Sequence, residues 1–312
     1  MTEPPKDTAP PEDEDLTEEP RSAGRLIARF FLLPLLVVGA AVAIFLVFNL
    51  MTFERRSPRD YLAEVRGGTA SRRWQAAFEL SRSLGSVAPE ERAALVAETL
   101  RIFEGLSEKR PDDVSVRRYL VLVLGRLGER AAVPALLGAA RDADPDTGLY
   151  AVWALGKIGD PAAVDTVLET STSEDAGARK MAAYVLGQLG DARAIPRLRV
   201  LAEDRTADVR WNAAIALAQL QDRSGLPVLR SMIDRAALAR QAEISSEQTE
   251  AAMINALKAL ALLRDSETLS MLDALAKSDP NLRVREAARK AADATRGKAA
   301  KRLERRAAVL VG

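Results

Sequence analysis

The chain has no cysteine and no histidine, and only 4% of it is aromatic. The first absence excludes disulfides, thiolate nucleophiles and iron–sulfur ligation. The second removes the usual zinc ligand and every His-based triad or general base. With 48% hydrophobic residues and few aromatics, a chain rich in Ala, Leu and Arg suits stacked helices better than a β-rich fold. Charge is balanced, with 45 Lys and Arg against 44 Asp and Glu. With net charge +1 and no basic face legible, no nucleic-acid partner is expected. No metal site, cofactor motif or convergent pair of titratable groups can be picked out, so the chain reads as a non-enzyme.

What is present is a repeat. The pairs Leu124-Gly125, Leu155-Gly156, Leu186-Gly187 and Leu217-Ala218 recur at a step of 31 residues. A period in this range marks an array whose units bury their apolar faces only against neighbours. Each unit divides into two short helices, A and B. Helix A, as in Val116 to Leu127, carries apolar residues at three- and four-residue steps and ends at a glycine suited to a left-handed cap, such as Gly128. Gly159-Asp160 and Gly190-Asp191 repeat that stop, and the aspartate can cap the next turn or helix through its side-chain oxygen. Helix B accepts Pro134, Pro196 or Pro227 in its first turn, where the missing amide costs no helical bond. Gly125, Gly156 and Gly187 lie inside helix A, at a cost of roughly 1 kcal/mol against alanine unless close packing needs them.

The run Val209-Arg210-Trp211-Asn212-Ala213-Ala214-Ile215-Ala216-Leu217, and Leu186-Gly187-Gln188-Leu189-Gly190-Asp191 followed by Pro196, resemble the HEAT-repeat superfamily. The resemblance is to its short bacterial version, the phycobilisome-lyase-type HEAT-like repeats, over roughly Arg72 to Lys298. It implies an all-α, right-handed α-solenoid of about six HEAT-like helix pairs. It is nearly silent on function, since such folds use surfaces rather than motifs.

In chain order, residues 1–20 hold eight acidic residues and five prolines and are expected to be a disordered acidic tail. Residues 26–53 are then expected to form a single transmembrane helix, because Phe30 to Phe53 is apolar except for Asn49 and Thr52. A cleaved signal peptide fits less well, since the start is acidic and the apolar core long. Six arginines follow the span (Arg55, Arg56, Arg59, Arg66, Arg72 and Arg73) against Arg21, Arg25 and Arg29 before it. That excess places the protein in a bacterial inner membrane, single-pass, with its repeats in the cytoplasm. Residues 54–71 read as a linker, 72–298 as the array, and 299–312 as a basic C-terminal helix or tail. The first unit carries 13 extra residues in its second helix, and a 43-residue step between Leu217 and Leu260 is absorbed by the polar run Arg240 to Glu250.

An arginine recurs seven positions before the key leucine, at Arg73, Arg117, Arg179, Arg210 and, before Ala292, Arg285, with breaks at Gly148 and Met253. These five are the candidate partner-binding residues, lining a groove for an acidic partner. The competing reading pairs each with a loop acid of a neighbouring unit, such as Asp113, Asp175 or Asp208. Aromatics at Phe78, Trp153 and Tyr184, two before the key leucine, and at Trp74 and Trp211 read as core filling or as a stacking platform. The basic run from Arg296 to Arg306 is either a solvated helix face or a contact for anionic lipid. The sequence thus points to a membrane-anchored scaffold that binds protein partners, themselves membrane-associated, through its solenoid surface. The alternative is a lyase-like enzyme related to the bilin lyases, acting on a protein substrate.

Overall fold

The computed structural model describes residues 31–52, 56–240 and 244–311. The acidic tail expected over 1–20 lies outside them. Among the described residues every element is helical, and the chain divides into one unit ending at Arg56 and a second beginning at Ser57.

The first unit is helix α1, Leu33–Thr52, of 20 residues. Its described apolar side chains, Leu35, Ile44 and Phe45 among them, are exposed. Among the described residues no helix is long and apolar enough to cross a membrane. This corrects the expectation of a single-pass inner-membrane protein anchored through residues 26–53. The cytoplasmic placement of the repeats and the membrane-associated partners rested on that anchor and fall with it.

The second unit is an α-solenoid. It opens with α2, Pro58–Gly67, within the expected linker. Ser57 caps this helix reciprocally with Asp60, and Leu62 and Val65 are fully buried, so this stretch belongs to the stack. Six A/B pairs follow: α3 Ala70–Ser83 with α4 Pro89–Glu104, α5 Pro111–Leu127 with α6 Val133–Ala139, and α7 Pro145–Ile158 with α8 Val164–Thr170. Next come α9 Ala176–Leu189 with α10 Ile195–Leu201, and α11 Ala207–Gln219 with α12 Leu226–Met232. After the short α13, Arg235–Arg240, the sixth pair is α14 Ser246–Leu263 with α15 Leu269–Ser278, and α16, Leu282–Val311, ends the stack. The second insertion is therefore partly helical, taken up by α13 and by a longer α14.

The turn between helices follows one recipe. Gly128, Gly159 and Gly190 hold φ of 73°, 71° and 69°, the left-handed geometry that closes helix A without a Cβ clash. The aspartate after the glycine then caps a short 3₁₀ turn: Asp160 accepts from Ala162 N–H at 2.9 Å and Asp191 from Arg193 N–H at 2.8 Å. Pro134, Pro196 and Pro227 sit at the start of α6, α10 and α12. Glycines inside the A helices let neighbouring A helices approach. A Cβ at Gly125 would lie 2.5 Å from Ala154 Cβ, and one at Gly156 2.8 Å from Val185 Cγ2.

The key leucines Leu80, Leu124, Leu155, Leu186, Leu217 and Leu260 are all buried, each contributing about 1.5–3 kcal/mol. Opposite sides of α11 feed two core clusters. Val209, Ala213, Ala216 and Leu217 join the one running back to Leu62, and Trp211, Ala214 and Ala218 join the one running on to Ala292. The core therefore runs along the stack, and the functional surfaces lie beside it.

Candidate functional site

The arginine ladder lies at the N-terminal ends of the A helices, and its guanidinium groups turn into the stack. Arg117 donates to Asp142 Oδ2 through Nε at 3.0 Å and Nη2 at 2.6 Å, and to the carbonyls of Leu106 at 3.1 Å and Phe103 at 3.4 Å. Its guanidinium also covers the Phe103 ring, 4.3 Å from the centroid. Arg179 repeats the plan two repeats later: Nε reaches Asp204 Oδ2 at 2.7 Å, and Nη1 takes the carbonyls of Ser173 at 3.0 Å and Glu174 at 2.8 Å. Both arginines are buried, at 5% and 7% exposure. The Arg179 hydrogen bond holds the Asp204 carboxyl below the usual carboxylate range, against the opposing effect of burial.

The other ladder residues conform in part. Arg73 donates to the Val65 carbonyl at 2.9 Å and to Asp113 at 3.1 Å. Burial pushes the Asp113 carboxyl up, but the Ser107 N–H bond and the charges of Arg110 and Arg73 outweigh it and leave the group lowered. Arg210 takes the carbonyls of Asp204 at 2.8 Å and Arg205 at 3.1 Å. Arg285 is half-buried, with no side-chain hydrogen bond described. The five are thus set in separate slots, one per repeat, rather than brought together. Of the loop acids named from sequence, Asp113 takes Arg73, Asp175 caps α9 through Ala178 N–H at 2.7 Å, and Asp208 pairs with Lys180 at 3.1 Å.

A different surface is open. On each A helix the positions five and two before the key leucine, and two after it, lie at the margin of the core and are half-buried or exposed. In the early repeats these are Phe78 and Arg82, then Tyr119, Leu122 and Arg126, then Tyr150, Trp153 and Lys157. Phe78 and Tyr119 pack edge to face with centroids 5.2 Å apart. Arg82 lies 5.4 Å over Phe78 and Lys157 5.7 Å over Trp153. From α9 onward the same positions turn to amides: Gln188, Asn212, Gln219 and Asn255. Here α9, α11 and α14 enclose a cleft of about 270 Å³ lined by Tyr184, Asn212, Ile215, Gln219, Asn255, Lys258 and Leu262. Tyr184 is 38% and Leu262 47% exposed, large apolar surfaces open to solvent beside several amide groups. Sequence reading marked Phe78, Trp153 and Tyr184 as core filling or as a stacking platform. The structure packs Trp153 against the core, sets Phe78 half-buried against Tyr119, and leaves Tyr184 exposed. The clue was the change of residue type along one repeat position.

Chemically, this face offers flat apolar contact, amide donors and acceptors, and the cations Arg82, Arg126, Lys157 and Lys258. Among the described residues no group of Asp, Glu, His or Cys is placed to hold a metal ion.

The HEAT-repeat family model matches residues 102–184 and 167–247. The structure is similar to the complex of CpcE and CpcF of phycocyanin lyase from Nostoc sp. PCC7120, at 20% identity and a TM-score of 0.52, covering 76% of this chain and 86% of that one. It is also similar to YibA from Escherichia coli, at 16% identity and a TM-score of 0.50, covering 75% and 81%. At such identities the likeness is one of fold. No curated protein matches the chain in sequence.

Proposed function

We propose, for a chain that is a HEAT-like repeat protein, that it is a non-catalytic scaffold whose A-helix face holds a segment of a partner protein. The observation that carries this reading is the continuous row Tyr119, Leu122, Trp153, Tyr184 and Ile215, ending in the amide-lined cleft. Rigid aromatics and amides in one file give contact area and backbone hydrogen bonding at low entropic cost, which is the recognition chemistry of an extended peptide segment. Repeat stacks supply extended surfaces of this kind.

A bilin-lyase-like activity has only the shared fold behind it.

The test is site-specific photocrosslinking in the native host. A benzophenone amino acid at Tyr184 or Leu262 should capture one and the same protein. The same group at Val200, an exposed apolar residue on α10, should not. Capture from Val200 alone, or from none of the three, refutes the A-face reading.

A further inference from the structure

The ladder lacks an arginine at Gly148, and there a cavity of about 400 Å³ opens between the N-terminal ends of α7 and α9. The neighbouring slots show what such a place holds. In each, the arginine enters between a pair of main-chain carbonyls and an aspartate of the next loop. Asp142 takes the guanidinium on Oδ2 alone, and Asp204 takes it on Oδ2 and Oδ1. With Oδ1 each accepts the N–H two residues on, from Asp144 at 2.9 Å and from Thr206 at 2.8 Å.

At the missing rung both halves change together. Position 173, 31 residues after Asp142 and 31 before Asp204, is serine. Ser173 Oγ still accepts from Asp175 N–H at 3.2 Å, so the loop keeps its register while the second oxygen and the charge are gone. A retained aspartate would have been an unpaired buried charge. Asp142, which lines the cavity, and Ala143 stand six and five residues before position 148, the offsets from which the carbonyls of Ser173 and Glu174 receive Arg179. No hydrogen bond to the carbonyl of Asp142 or Ala143 is described.

The rim is acidic. Asp146 and Glu169 are 57% and 61% exposed at the side chain. Arg118 reaches Asp146 across 3.2 Å, and Arg141 pairs with Glu169, so neither acts as a free charge. Arg141 also lines the cavity, and Asp175, which caps α9, is the lining acid with no ion pair described; a cation that donates to carbonyls fits beside it.

We propose that this cavity binds a guanidinium side chain presented by a partner protein, completing from outside the rung that the chain leaves open. The proposal rests on the partner-binding reading above for the source of the arginine, but uses a different face of the molecule.

The test uses Nα-acetylarginine amide on the full chain, followed by NMR or thermal shift, with Nα-acetylcitrulline amide as the uncharged isostere. The arginine amide should bind saturably and perturb residues around Gly148 and Ser173, and the citrulline amide should not. Ser173→Asp restores the carboxylate of the flanking rungs and should tighten binding of the arginine amide roughly tenfold, the size of one charge-assisted hydrogen bond. Gly148→Arg should abolish it by filling the slot. Because a Cβ there would sit 3.2 Å from the Ala140 carbonyl oxygen, the Ser173→Asp variant decides the matter if Gly148→Arg does not fold. Equal responses to the two amides, no saturable response, or unchanged affinity in Ser173→Asp would overturn the proposal. Crosslinking from Tyr184 is unaffected by any of these results, so the two readings fail separately.

Discussion

The repeat built on α9 and α10 and the repeat built on α7 and α8 share length, caps and core leucines, yet one is locked by a buried ion pair and the other is open. In the first, Arg179 and Asp204 meet at 2.7 Å with both side chains nearly buried. In the second, Gly148 and Ser173 stand at the same two positions. The core is the same in both, with Leu155 and Leu186 equally buried. What differs is a rung outside the core. The stack therefore does not need every rung to hold its register, and a rung can be given up for a cavity.

The largest effect expected from breaking this contrast is at Arg179. Arg179→Ala leaves Asp204 buried without its partner and should cost about 3 kcal/mol of stability. Adding Asp204→Ser to that variant reproduces the chemistry of the open rung and should restore a substantial part of the loss. Denaturant unfolding of both variants checks this, and a double variant no more stable than the single would show that the open rung is not a self-consistent alternative.

A somewhat smaller loss tests whether the two repeats share their packing. Gly156→Leu forces atoms into Val185 across the α7–α9 contact and should destabilise by about 1–3 kcal/mol. An unchanged melting midpoint would mean that this glycine is not at a close approach.

The smallest difference is in acid. The folded carboxyl of Asp204 is lowered, mainly by its hydrogen bond from Arg179. A lowered folded value means stability that is fully present above the unfolded carboxylate value, about 3.9, and is lost as pH falls through the folded one. The locked chain should thus lose stability from about pH 4 downward. The Arg179→Ala/Asp204→Ser variant should show a shallower loss, since it has one depressed carboxylate fewer. Parallel acid unfolding curves would remove Asp204 from the account.

Much of this architecture was legible in the residues. The 31-residue step, the left-handed glycines, the aspartate caps and the prolines of the B helices act through local backbone geometry, and local rules read them correctly. The ladder and its break at Gly148 were legible too. Of its partners, Asp113 was legible and takes Arg73, but those of Arg117 and Arg179 were not. Asp142 and Asp204 lie 25 residues after their arginines, beyond a whole B helix, whereas the nearer acids Asp175 and Asp208 are engaged in capping α9 and pairing with Lys180. The fate of 54–71 was missed because Gly67 and Gly68 suggested a linker, while Leu62 and Val65 found a core only once α3 and α4 were beside them.

The sequence by itself determined the all-helical repeat, its period and the ends of its helices, because those depend on contacts within a few residues. Only the tertiary structure decided where each guanidinium goes, which A-helix positions share one open face, and that Gly148 and Ser173 leave a cavity between them. Those are relations between residues on different helices, and the distance between two helices is fixed by packing, which no single segment encodes.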